Sequence, residues 1–270
     1  MSIESIDVII PCYNAAATLN RAVKSVLAQP QLGTLWLIDD GSTDQTAAIA
    51  QEWAAQHPQR IRVETLPQNG GAARARNWGA LLAQNEIIAF LDADDAYQAR
   101  VLEAAAVVFN HRPIAGLLRL PMKAVNLPPR YADHPDIQTA WRMFEMTGAG
   151  NTVFNRSFFL ACGGFPQNEL FRRLGGEDGA LGLATIASSA VATLFDEVGF
   201  DQISVNVHCH PGMFAERLFD AMLFGQAPPH SEDDQQQAEE VTAEISRRLG
   251  VLRGILNPPQ TGKMPLRFTP

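Results

Sequence analysis

A repeated alternation of short apolar segments and one-sided helical segments limits the first half of the chain to an α/β fold. Ile6–Ile10, Leu35–Ile38, Ile61–Leu66 and Ile87–Leu91 are apolar runs typical of strands, and Pro11 predicts the end of the first. Each run is followed by a segment with helical character, such as the apolar face Leu19–Leu27. Four such repeats predict a mostly parallel central sheet with helices on both faces.

Polar clusters follow three of these strands. They are Pro11–Asn14, Asp39–Asp44 and Asp92–Asp95. Ligands of open parallel sheets bind beyond the carboxyl ends of the strands, so the three clusters are expected to converge into one site. Three carboxylates within Asp92–Asp95 repel one another, and a divalent cation such as Mg²⁺ relieves that repulsion. An acidic turn that caps the next helix is the alternative, and these residues alone leave both open.

Length and charge exclude several classes of protein. A chain of 270 residues forms one large domain or two small ones, and a net charge of −8 argues against a general nucleic-acid binder. Cys12, Cys162 and Cys209 lack the spacing of a zinc site and are expected to be reduced packing residues. No signal peptide or transmembrane segment is visible, so a cytoplasmic location is the expectation, with peripheral membrane contact left open.

The second half of the chain has weaker periodicity. Strands are predicted near Leu117–Leu120, Asn151–Phe154, Val191–Phe195 and Ile203–Cys209, and residues 126–137 with their three prolines are interpreted as a loop. A C-terminal helix carries an apolar stripe that is expected to dock on the domain or on a partner subunit. Its members are Val241, Ile245, Leu249, Leu252 and Ile255. The polar segment before it, His230–Gln237, is expected to be mobile.

Motifs in this order resemble glycosyltransferase family 2, the inverting enzymes with the GT-A (nucleotide-diphospho-sugar transferase) fold. They are Ile9–Asn14, Ile38–Asp44, Asn69–Gly71 with Ala75–Asn77, Asp92–Asp95, Phe154–Arg156, Gly163–Phe165 and Gly176–Asp178. The resemblance implies a catalytic domain over residues 1–225, with a nucleotide-binding half at 1–115, an acceptor half at 116–225, and a helical or extended tail at 226–270. Family members often carry a proline after the acidic motif, where this chain has Ala96–Arg100; we expect that change to affect only helix entry.

The resemblance also implies residues that bind the donor. Pro11 and Tyr13 would line the nucleotide pocket, with the Tyr13 ring facing the base. Asp40 would accept hydrogen bonds from the base, although a turn or cap role stays open. Arg76 would lie near the base or the diphosphate, or else be a solvated helix charge. Asp92 would hold the ribose or help to position a metal ion.

A divalent cation, Mn²⁺ or Mg²⁺, is the implied cofactor. Asp94 would coordinate it with help from Asp92, and Asp95 would support the site or cap the next helix. His208 and His210 flank Cys209 on one predicted strand, and some enzymes of this fold use a late histidine as a metal ligand or phosphate contact. The alternative is that both are half-buried strand histidines that bind neither metal nor phosphate.

The implied catalytic residues are Asp178 and Glu177. Asp178 is assigned as the general base, and Glu177 would contact the acceptor or orient the loop. Both acids open a predicted helix, so they could instead only complement the positive end of the helix dipole.

The expected activity is transfer of a hexosyl group from a nucleotide sugar, with uridine diphosphate sugars favoured, to a glycan, lipid-linked or other hydroxyl acceptor. A catalytically inactive nucleotide-sugar-binding or scaffold member of the fold is one alternative. A sugar-phosphate nucleotidyltransferase is another, but it would carry a glycine-rich loop with a basic residue where this chain has Pro11–Asn14. The GxGxxG of a dinucleotide oxidoreductase is absent after the first strand.

Overall fold

The computed structural model describes residues 2–188, 190–195, 203–226, 231–256 and 262–265. The strands, in chain order, are β1 (Ile6–Cys12), β2 (Leu32–Asp39), β3 (Ile61–Thr65), β4 (Ile87–Phe90), β5 (Ala96–Tyr97), β6 (Leu117–Arg119), β7 (Met122–Val125), β8 (Thr152–Asn155), β9 (Ala190–Thr193), β10 (Val205–His208) and β11 (Gly262–Pro265). The helices are α1 (Leu19–Leu27), α2 (Thr46–Gln56), α3 (Ala72–Leu82), α4 (Val101–His111), α5 (Pro129–Ala132), α6 (Ile137–Thr147), α7 (Arg156–Cys162), α8 (Glu169–Leu174), α9 (Glu177–Ser188), α10 (Phe214–Phe224) and α11 (Glu232–Leu256).

The central sheet has the strand order β11-β9-β6-β8-β4-β1-β2-β3. Neighbouring strands are parallel except at β8, which pairs antiparallel with both β4 and β6. Alternate residues of β1 point to opposite faces of the sheet and belong to different hydrophobic cores. Val8 and Ile10 share a core with α1, α2 and α4, and Ile9 shares the other with α3, α7, α9 and α11. The predicted mostly parallel sheet with helices on both faces is therefore confirmed.

Proline does not end β1, in contrast to the sequence-based expectation. Pro11 pairs with Ile38 of β2, and the strand continues to Cys12. The Ile9 carbonyl accepts from Leu91 on the β4 side, and the Cys12 carbonyl accepts from Asp40 on the β2 side. By strand alternation the missing Pro11 N–H would point toward β4, whose pairing with β1 ends at Ile9. Proline thus removes no ladder hydrogen bond here.

The structure also contains a small second sheet and two helices, α5 and α6, between β7 and β8. The strand order of this second sheet is β5-β10-β7, with β5 antiparallel and β7 parallel to β10. The segment interpreted as a loop contains the short helix α5 and leads into α6. The residues that replace the family proline do more than shape helix entry, because Ala96–Tyr97 forms the β5 strand.

Helix α11 docks on the domain. Ile245 and Leu249 are buried against α9 and α7, while the side chains of Leu252 and Ile255 lie outside the described residues. Residues 227–230 also lie outside, but the polar segment is helical from Glu232. Ser231 Oγ accepts from the Asp234 amide and the Asp234 carboxylate accepts from the Ser231 amide, a reciprocal cap that starts the helix. Among the helices that the structure describes, none has the length and apolar character needed to cross a bilayer.

A close contact between α3 and β1 fixes the helix that carries Arg76. A β-carbon added at Gly79 would lie 2.5 Å from Ile9 Cγ2, whereas one added at Gly250 in α11 would meet no atom within 4 Å. Gly79→Ala is therefore expected to lower the free energy of unfolding by about 1–2 kcal/mol, because overpacking outweighs helix propensity. Gly250→Ala is the control and should raise it by about 0.5–1 kcal/mol. Urea unfolding of both variants measures the difference, and a stabilised Gly79→Ala would contradict the contact.

Candidate active site

Hydrogen bonds join the loops that follow β1 and β2 at the carboxyl edge of the sheet. Asn14, with a φ of 49° in the left-handed region, accepts from the Thr43 amide at 2.9 Å through its side-chain oxygen. Its own amide donates to Ser42 Oγ at 3.0 Å. Tyr13 is 50% exposed beside this junction, and Pro11 is half-buried. The Tyr13 ring is thus available to a ligand rather than packed in the core.

Asp40 holds the turn that precedes α3. Its Oδ2 accepts from the Gly71 and Gly70 amides at 2.7 and 2.9 Å and from Asn69 Nδ2 at 3.0 Å. Burial raises the pKa of this carboxyl, while the two glycine amides and the Arg74 charge act in the opposite direction. The observed contacts of Asp40 are therefore those of a residue that stabilises a turn, and a contact between Asp40 and a nucleotide base stays a prediction.

The acidic motif after β4 divides into one buried and two accessible carboxylates. Asp95 is buried and accepts from the His208 amide at 2.9 Å, so it anchors the end of β10. Burial, followed by the charges of Asp94 and Asp92, raises the pKa of Asp95. The side chains of Asp92 and Asp94 are 34% and 39% exposed and face the site. Asp95 therefore holds the backbone at the end of β10, and its supporting role in a metal site stays a prediction.

The two late histidines occupy different places. Strand β10 ends at His208, so the two side chains do not share one strand face as the alternation predicted. His210 Nε2 lies 3.0 Å from Asp94 Oδ2, whereas His208 Nδ1 faces the Asn206 carbonyl at 3.2 Å. Contact with the Pro211 carbonyl, and then with Asp94, raises the pKa of His210. Burial, followed by the Arg21 charge, lowers the pKa of His208.

The donor set at Asp94 and His210 fits a metal shared with a substrate. Within the described residues, no three His, Cys, Asp or Glu side chains cluster closely enough to hold an ion by themselves. A carboxylate and an imidazole nevertheless lie 3.0 Å apart in a half-exposed position. Hard divalent cations are commonly held by one or two protein ligands together with phosphate oxygens and water. The residues therefore suit a cation whose remaining ligands come from a diphosphate.

Arg76 joins the acidic motif to the N-terminus of α9. Its guanidinium is buried and contacts Asp92 Oδ1 at 2.5 Å and Glu177 Oε1 at 3.3 Å. Burial by itself would lower the pKa of Arg76, but the charges of Asp92 and Glu177 raise it above its usual value. The alternative reading of Arg76 as a solvated helix charge is therefore wrong.

Asp178 lies at the start of α9, beside Glu177. Its Oδ1 accepts from the Gly179 amide at 2.8 Å, and it lines an open cavity of about 670 Å³. Burial of the carboxyl, and then the Glu177 charge, raises the pKa of Asp178 to about 7, against the opposing effect of Arg76. A carboxyl that titrates near neutrality can accept a proton from a substrate hydroxyl.

Sequence reasoning missed two arginines that shape this region. Arg119, at the end of β6, is buried and donates to the Gly148 carbonyl at 2.8 Å. A β-carbon at Gly182 of α9 would lie 2.9 Å from Arg119 Nη2, so the guanidinium lies against the helix that carries Asp178. Burial lowers the pKa of Arg119 to about 10. Arg21 of α1 donates to the Asp94 carbonyl at 2.5 Å. No local pattern distinguishes either from a surface cation.

A mostly parallel α/β sheet with helices on both faces and a C-terminal helix is the architecture of the GT-A class of transferase fold. The family model described as glycosyl transferase family 2 matches residues 7–164, more than half of the chain. The chain therefore belongs to glycosyltransferase family 2, as its motifs indicated.

Curated relatives match over about a third of the chain. The succinoglycan biosynthesis protein ExoU of Rhizobium meliloti is 41% identical over 90 residues, which are 33% of this chain and 26% of ExoU. The putative teichuronic acid biosynthesis glycosyltransferase TuaG of Bacillus subtilis is 40% identical over 99 residues, 36% of this chain and 39% of TuaG. The matched segments thus span less than half of these relatives.

Solved structures match over nearly the whole chain and support the fold. S. aureus TarS 1–349 in complex with UDP-GlcNAc has a TM-score of 0.61 at 20% identity, covering 93% of this chain and 74% of that one. The mannosyltransferase PcManGT from Pyrobaculum calidifontis, in complex with GDP-Man and Mn²⁺, gives the same score, identity and coverage.

The raised pKa of Asp178 predicts that this residue destabilises the fold at neutral pH. Between about pH 4 and 7 the unfolded state ionises Asp178 while the folded state retains the proton, so its contribution to stability falls as pH rises through that window. Asp178→Asn should therefore raise the free energy of unfolding by about 2–4 kcal/mol above pH 7 and by little near pH 4. Urea unfolding at several pH values measures this.

The exposed Asp133 supplies the matched control for that experiment. Asp133→Asn makes the same chemical change outside the site and should leave the pH dependence of unfolding unaltered. Equal effects of the two substitutions at every pH would contradict a perturbed Asp178.

Proposed function

We propose that this protein is a metal-dependent inverting glycosyltransferase that moves a sugar from a nucleotide diphosphate donor to an acceptor hydroxyl. The observation that carries the proposal is Asp178, a carboxyl with a pKa of about 7 that lines an open cavity. It is linked through Glu177 and Arg76 to the acidic end of β4. A proton acceptor and a candidate diphosphate site thus lie on the two sides of one buried arginine.

On the donor side, the exposed Tyr13 ring offers a face to the base, and Asp92 is the candidate ribose contact. Asp94 and His210 would hold a divalent cation, which neutralises charge on the departing diphosphate when bound. The chain's own contribution is rigidity: Arg21 fixes the Asp94 backbone, and Asp95 fixes the strand that precedes His210. We favour a uridine diphosphate sugar; TarS, of the same fold, is in complex with UDP-GlcNAc.

On the acceptor side, Asp178 takes the hydroxyl proton while the acceptor oxygen bonds to the anomeric carbon. The bond from that carbon to the diphosphate oxygen breaks on the opposite face, so the configuration inverts. Glu177 is engaged with Arg76, so its role is to orient this segment and to place negative charge beside Asp178. That charge, together with burial, makes Asp178 basic enough to act near neutral pH.

Two alternative functions predict different products. An inactive nucleotide-sugar-binding or scaffold protein would bind donor but neither transfer nor hydrolyse it. A sugar-phosphate nucleotidyltransferase would release pyrophosphate from a nucleoside triphosphate and a sugar phosphate. Incubation with a nucleotide sugar alone, and separately with those two substrates, distinguishes the three by product.

Removing the base should abolish turnover and leave donor binding intact. Asp178→Asn is expected to lose about a hundredfold or more in kcat, since Asn cannot accept the proton. The wild-type rate should rise with pH through about 7, where Asp178 ionises. Initial rates of nucleotide release, with calorimetry of UDP binding, measure both properties. An active Asp178→Asn together with an inactive Glu177→Gln would exchange the two assigned roles.

Metal-dependent donor binding should require Asp94 and distinguish the histidines. Calorimetric titration with UDP, with and without Mn²⁺, is expected to show metal-enhanced affinity in the wild type and none in Asp94→Ala. His210→Gln should weaken the Mn²⁺ effect roughly tenfold, because His210 lies against Asp94, and His208→Gln is the matched control. Equal loss in both histidine variants would reject the assignment, and clearly tighter GDP binding would reverse the choice of uridine.

A further inference from the structure

The cavity beside Asp178 is a groove between helices, lined mainly by apolar side chains. Its volume is about 670 Å³, within the range of about 300–1,000 Å³ that is typical of small-molecule sites. Helices α6, α8, α9, α10 and α11 contribute its walls. The apolar members include Phe144, Phe171, Leu174, Leu183, Leu218 and Ala238.

Small and exposed residues of α9 keep this groove open next to the carboxyl. A β-carbon added at Gly179, the residue after Asp178, would meet no atom within 4 Å. Leu183, four positions further and on the same side of the helix, is 54% exposed although it is large and apolar. The surface that continues from Asp178 is therefore apolar and accessible.

Several polar side chains in the lining already have partners within the protein. Thr147 and Thr242 donate to the Met143 and Ala238 carbonyls of their own helices at 2.9 and 2.8 Å. Arg217 donates to the Leu174 carbonyl at 2.8 Å, and Asp234 pairs with Arg173. A bare glycan in this groove would find few groups to read its hydroxyls, whereas an apolar group would remove apolar surface from water.

We propose that the groove binds the apolar aglycone of the acceptor, so that the substrate is a sugar or other hydroxyl compound joined to an aliphatic or aromatic group. The inference rests on the proposed function, since it identifies Asp178 as the base that the acceptor hydroxyl must reach. The hydroxyl lies at the Asp178 end, and the apolar part extends along α9 past Leu183 toward α11.

Uncharged alkyl glucosides test the groove without turnover. Methyl, butyl and octyl β-D-glucoside, kept below micelle-forming concentrations, are titrated into the full chain and followed by saturation-transfer NMR. Affinity should rise about two- to fourfold for each added methylene, as expected for a partly or fully buried chain. Leu183→Gln should weaken octyl glucoside binding about three- to tenfold and leave UDP binding unchanged.

Leu81→Gln is the matched control, because Leu81 is a helical leucine of similar exposure, 56%, outside the groove lining. Affinity that is independent of alkyl length, or equal weakening by the two substitutions, overturns the inference and leaves the groove to another occupant such as a polypeptide. If affinity rises with alkyl length but the protein transfers no sugar, the proposed function is refuted and the assignment of the groove as an apolar binding site is retained.

Discussion

The buried guanidinium of Arg76 is the interaction on which the site depends. Asp92 belongs to the end of β4 and Glu177 to the start of α9, and the cation between them offsets the repulsion of the two carboxylates. The close contact of Gly79 with Ile9 fixes the helix that presents this cation. Sheet, helix and charge are therefore coupled, and the end of β4 is linked to the start of α9.

The same arrangement explains how two adjacent acids acquire different properties. Glu177 forms an ion pair with Arg76, whereas Asp178 accepts from a backbone amide and is buried beside the negative charge of Glu177. A raised carboxyl pKa costs stability near neutral pH, and such a cost is common at sites that need a base. Arg119, which lies against α9 one turn further on, limits the cost by adding positive charge.

Much of the fold could be read from periodicity, because strands and helices of the first half are local patterns with apolar faces. The exceptions have physical reasons. Pro11 sits inside β1 because the ladder on its amide side has ended, and hydrogen-bond direction is invisible in sequence. Strands β5 and β7 are only two and four residues long, so they acquire their conformation from pairing with β10 rather than from their own composition.

The sequence by itself determined the family, the mostly parallel sheet and the set of polar residues at its carboxyl edge, because strand ends and motif order are local properties. The tertiary structure alone decided how those residues are used. It assigned Asp40 to a turn, buried Arg76, and placed His210 rather than His208 against Asp94. Side-chain pairing across more than a hundred positions depends on packing, and packing is fixed only when the whole chain has folded.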